Sequence, residues 1–71
     1  MGRWPGRKAT LVLAALLRIG WRVKREAKGS LKLLERDGWP DYVWHFHASD
    51  DIGPKMLAKI AKKTGLQPED V

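Results

Sequence analysis

The sequence predicts an α+β domain of order α-β-β-β-α, a three-stranded antiparallel sheet with two helices on one face. Apolar residues recur at helical spacing near the start of the chain (Val12, Ala15, Leu16, Ile19) and again towards its end (Ile52, Met56, Leu57, Ile60, Ala61). Between these stretches lie three short segments whose alternation or β-branched and aromatic content suits strands. The segments are joined by turn residues too few to hold a crossover helix, so neighbouring strands run antiparallel.

Met1–Gly6 lacks periodicity and is broken by Trp4-Pro5-Gly6, which predicts a flexible basic arm over 1–6 and a single domain over 7–71. Arg7–Ile19 reads as the first helix, with Leu13 and Leu17 widening its apolar stripe and Gly20 supplying the residue that ends it. Trp21-Arg22-Val23-Lys24-Arg25 alternates as a strand with one buried face. Lys28-Gly29 is a turn, Leu31–Glu35 a second strand, and Arg36-Asp37-Gly38-Trp39-Pro40 a turn with a good hairpin cue in Asp-Gly. Tyr42–His47 is the third strand. Ser49-Asp50-Asp51 offers capping oxygens, and Pro54 suits a first helical turn because its missing N–H has no helical partner. The second helix closes at Thr64-Gly65-Leu66, with Lys62 and Lys63 at the negative end of its dipole. Gln67–Val71 adds a short turn.

With 71 residues the chain holds one modest core, since domains of this size hide only roughly 60% of the surface their unfolded chains expose. It has no cysteine, which excludes disulfides and thiolate zinc sites and suits a reducing, cytoplasmic setting. The longest apolar run, Leu11–Leu17, falls far short of a membrane span, so no membrane association is expected. Fourteen Lys and Arg against eight Asp and Glu give a net charge of +6, which favours nucleic acid or an acidic protein over a neutral small molecule.

Arg22, Lys24, Lys28 and Lys32 form a basic stripe on the first two strands, suited to the phosphates of an RNA groove or simply to solvent. Lys55 and Lys59 on the second helix are the next phosphate candidates. His45 and His47 fall on one predicted strand face; without cysteine they are thin material for a metal, and no metal or cofactor is expected. His47 could orient RNA or move a proton, or could merely bond the following turn. Gly29-Ser30 could position a phosphate or open a strand. Trp21 and Trp44 read as core, whereas Trp39 in the turn could stack on a base or a partner. Asp37, Asp41, Asp50 and Asp51 fall where turns and caps already explain them.

Read in order, Ile19-Gly20-Trp21, Gly29-Ser30-Leu31, Phe46-His47, Ile52-Gly53-Pro54 and Ile60 through Gly65-Leu66 resemble the HicA family of toxins, which are mRNA interferases. The resemblance runs from about Lys8 to the C-terminus. It implies a fold similar to a double-stranded-RNA-binding domain, metal-independent RNA cleavage, mRNA as target, and inhibition by a HicB antitoxin. It also implies that Leu31 occupies the position of the family's catalytic histidine. Leucine cannot move a proton, so three readings stand: an engineered knockout, a natural inactive member, or catalysis by another residue. The implied function is an RNA-binding toxin scaffold, inactive or attenuated. The alternative is a non-catalytic basic module that binds RNA or an acidic protein.

Overall fold

The computed structural model describes residues 4–29 and 31–71. Its elements are β1 (Arg7–Lys8), α1 (Ala9–Arg18), β2 (Arg22–Glu26), β3 (Lys32–Arg36), β4 (Trp39–Trp44), β5 (Asp51–Ile52), α2 (Pro54–Thr64) and a 3-10 turn over Pro68–Asp70. Strands β2, β3 and β4 form an antiparallel sheet in that order, and with α1 and α2 they make the expected α-β-β-β-α arrangement. The core joins Val12, Ala15 and Leu16 of α1 to Trp21, Leu34, Trp44, Leu57, Ile60 and Leu66. Trp21 and Trp44 are buried as expected, and Trp4 packs partly buried against the same cluster.

The edges of several elements differ from the sequence reading. Arg7 and Lys8 do not begin the helix but pair with Ile52 and Asp51, adding a two-stranded sheet. The Ala9 N–H donates to the Asp50 carbonyl at 2.8 Å, so the first helical turn is anchored by a residue distant in sequence. Leu17, 44% exposed, and Met56, 38% exposed, leave their apolar stripes. Each lies one residue, about 100° of helix rotation, from a buried neighbour, Leu16 or Leu57. The capping oxygens expected at Ser49–Asp51 do not cap α2, whose N-cap is Gly53. Asp50 Oδ2 instead accepts the His47 N–H at 2.8 Å, and Asp51 pairs with Lys8 at 2.9 Å.

The turn between β3 and β4 is only Asp37-Gly38, and Trp39 and Pro40 already belong to β4. Proline is tolerated there because β4 is an edge strand and can do without one ladder donor. The strand stops at Trp44, so His45–His47 is irregular rather than strand. Strand β2 also departs from the alternation rule, for all five of its residues are exposed. Val23 pairs with Leu34 but Arg25 with Leu33, so Lys24 is an extra residue that breaks the register. The bulge turns Arg25, which strict alternation would send inward, onto the open face of the sheet.

The end of α2 ties the layers together. Gly65 adopts φ +78°, and a Cβ there would lie 2.9 Å from the Trp39 ring. Trp21 Nε1 donates to the Thr64 carbonyl at 3.0 Å, and Arg36 Nη1 to the same oxygen at 3.2 Å. Nearby, burial pushes the Tyr42 phenol above its ordinary pKa of 10.0. Tyr42 therefore contributes stability that is intact below pH 10 and lost as pH rises through its folded pKa. Tyr42→Phe should remove that part of the alkaline loss, read as unfolding midpoints from pH 8 to pH 11 beside the native chain. Parallel alkaline losses in the two proteins would contradict it.

Candidate functional site

The N-terminal end of α1, the turn after β2 and the segment after β4 converge on a cleft of about 330 Å³. Ala9, Thr10 and Leu13 line it from α1, Gly29 from the turn, Lys32 and Trp44 from the sheet, and Phe46, His47 and Ala48 from the last segment. Strand pairing and burial produce this convergence. Lys32 and Trp44 are directly paired across β3 and β4, and the buried Trp44 anchors the chain from which His47 projects. Gly29 has φ +73° and no atom within 4 Å of a would-be Cβ, so its glycine answers the turn rather than a close approach.

His47 is held through its backbone. Its N–H donates to Asp50 Oδ2 and its carbonyl accepts the Asp50 N–H at 3.0 Å, while its side chain is exposed. His45 does not share this cleft: its ring stacks on Phe46 at 4.4 Å between centroids. The shared strand face expected for the two histidines is lost because β4 ends before either. The cleft has positive character, with Lys32 and the α1 N-terminus, where amide groups lack helical acceptors. Such a site suits a phosphate, with one imidazole beside it.

Leu31 lies elsewhere. It is 41% exposed and lines a shallow apolar depression on the open sheet face with Arg25, Ala27, Lys32, Leu33 and Val43. Its carbonyl accepts the Ala27 N–H at 2.9 Å, closing the turn that carries Gly29. Lys32 borders both the depression and the His47 cleft, and so joins the two surfaces. Ser30, between Gly29 and Leu31, lies outside the described residues.

The basic stripe divides into paired and free charges. Arg22 lies 3.7 Å from Glu35 and 3.5 Å from Asp37, and Lys24 contacts Asp41 at 3.0 Å. Among the described residues Arg25, Lys28 and Lys32 enter no ion pair, so they carry more free charge than Arg22 or Lys24. Arg25 was not legible as a site residue, because only the bulge brings it to this face. Thr10 was hidden for a similar reason: the helix start that exposes it depends on the pairing of β1 with β5. Lys55 and Lys59 stand apart, beside Gly53, Pro54 and Met56 at the start of α2. Among the described residues no three His, Asp or Glu side chains are grouped to hold a metal ion, and no helix is long and apolar enough to cross a membrane.

Comparison with known families matches residues 11–66 to the family model described as HicA toxin of bacterial toxin-antitoxin. No curated protein and no solved structure matches the chain.

Proposed function

Because the chain belongs to the HicA toxin family, we propose that it is the RNA-directed toxin of a toxin–antitoxin pair, inactive or attenuated in cleavage because Leu31 stands in the catalytic position. The family match over residues 11–66 carries this reading. The net charge of +6 and Arg25, Lys28 and Lys32, which enter no ion pair among the described residues, support RNA as the ligand. In this reading Lys32, His47 and Gly29 contact RNA at the cleft, Ser30 is an RNA contact by its place in the sequence, and Arg22, Lys24, Lys28, Lys55 and Lys59 extend the contact to further phosphates.

Metal-free RNA cleavage needs a base to take the ribose 2′-hydroxyl proton and an acid to protonate the departing oxygen. Leu31 can do neither. His47 holds a single imidazole in the neighbouring cleft, an orienting group more than a replacement. The partner is a HicB-like antitoxin masking Gly29–Lys32, attracted to this basic surface by opposite charge. An mRNA-directed toxin of this kind works in the cytoplasm. Leu31 is also the one observation that favours a second reading, a non-catalytic basic module for RNA or an acidic protein.

Double-stranded RNA affinity should drop steeply with salt, by roughly 0.9 log units per log unit of salt for each phosphate neutralised. Lys24→Glu with Lys32→Glu should weaken binding by at least about tenfold at low salt, across RNA sequences alike. Binding that ignores both salt and these changes would sink the RNA reading.

A further inference from the structure

A second surface combines an aromatic ring with free positive charge at the far end of β4. Trp39 begins that strand and Trp44 ends it, so the two ends lie about 17 Å apart at the usual strand rise. Trp39, Pro40, Asp41, Tyr42, Lys62 and Lys63 line a groove of about 260 Å³ there. Trp39 is 37% exposed, although its edge approaches Gly65 and the Arg36 guanidinium lies 5.3 Å from its centroid. These supports hold the ring in place without covering it. Asp41, the one carboxylate lining the groove, is engaged by Lys24 at 3.0 Å. Among the described residues Lys62 and Lys63 enter no ion pair.

The position of the two lysines favours the α2 dipole, but that role asks for no aromatic neighbour. A rigid, partly open indole beside two free ammonium groups matches a flat base joined to a phosphate. We propose that this groove is a second RNA subsite that takes a single-stranded nucleotide, its base stacked on Trp39 and its phosphate held by Lys62 and Lys63. The inference rests on the RNA-binding reading above and adds a strand path beyond the His47 cleft. Stacking of this kind is sequence-tolerant, because every base has a π-face.

The test compares a blunt RNA duplex with the same duplex carrying a short single-stranded overhang, each titrated with the whole chain. The overhang should tighten binding at least about fivefold, the lower end of base–aromatic stacking. Lys62→Gln with Lys63→Gln, two exposed changes to a good helix former, should abolish that gain and leave blunt-duplex affinity within about twofold. It should also make the salt dependence of overhang binding shallower by roughly 0.7, the contribution of the one single-strand phosphate that the two lysines hold. Trp39→Leu should lose the gain as well; the lysine pair keeps the test valid should Trp39→Leu unfold. An overhang that adds nothing, or a gain that survives the lysine changes, overturns the subsite. So does a lysine pair that weakens only the complex with the antitoxin, which would assign the groove to a protein. Failure of every RNA form to bind would instead bring down the RNA reading itself, and this subsite with it.

Discussion

Leu31→His is expected to raise RNA cleavage by ~10²–10⁴-fold over the unmodified chain, the range that a positioned acid or base contributes. The site can accept the ring. Leu31 precedes β3, is 41% exposed and holds its turn through a backbone carbonyl that any side chain retains. An imidazole there titrates near neutral pH and could take the proton of a ribose 2′-hydroxyl beside Lys32, which links the sheet face to the cleft. Cleavage of an end-labelled RNA under single-turnover conditions measures the gain. Expression should then arrest growth, the cognate antitoxin should relieve it, and chelators should leave cleavage intact. Robust cleavage by the unmodified chain would transfer the chemistry to His45, His47 or another residue. A well-folded but inert Leu31→His protein would mean that the correspondence at Gly29-Ser30-Leu31 is wrong.

Trp21→Ala is expected to cost about 3–5 kcal/mol, the usual range for removing a buried Trp or Phe. Trp21 is 1% exposed and packs beside Trp39 and Tyr42, with ring centroids at 6.2 and 6.4 Å. Its loss opens a cavity at the junction of α2 and the sheet and removes one of two donors to the Thr64 carbonyl. A domain this small has on the order of 4–10 kcal/mol of stability, so the change removes about half. Thermal unfolding followed by circular dichroism should show Tm falling by on the order of 15 °C or more. Trp21→Phe keeps most of the buried surface and loses only the N–H, so it should fall between the two. A Trp21→Ala protein within about 1 kcal/mol of the native chain would show that the indole is not a core group.

The helices and the strand order were legible because hydrophobic period is a local property. Val12, Ala15, Leu16 and Ile19 mark a helix whatever they pack against, and Gly65-Leu66 marks its counterpart's end through a left-handed residue followed by a buried one. The ordered pieces from Ile19-Gly20-Trp21 to Gly65-Leu66 likewise identified the HicA family, which the match over residues 11–66 supports independently. Trp39 and Pro40 were misread as turn because proline usually interrupts a strand, and only sheet order shows that this strand is an edge. His45 and His47 were assigned one face by extending a strand that stops at Trp44.

The fold class, the core tryptophans, the excess of positive charge and the family could all be read from the residues in order. Which groups meet depends on the folded arrangement. It brought Gly29, Lys32 and His47 to one cleft and put Leu31 on the adjoining sheet face. It also engaged Arg22 and Lys24 with Glu35, Asp37 and Asp41. The physical reason is range. Periodicity and turn chemistry act over a few residues, whereas the bulge at Lys24, the anchoring of Ala9 by Asp50 and the pairing of charges across strands depend on contacts between distant segments, which no local pattern records.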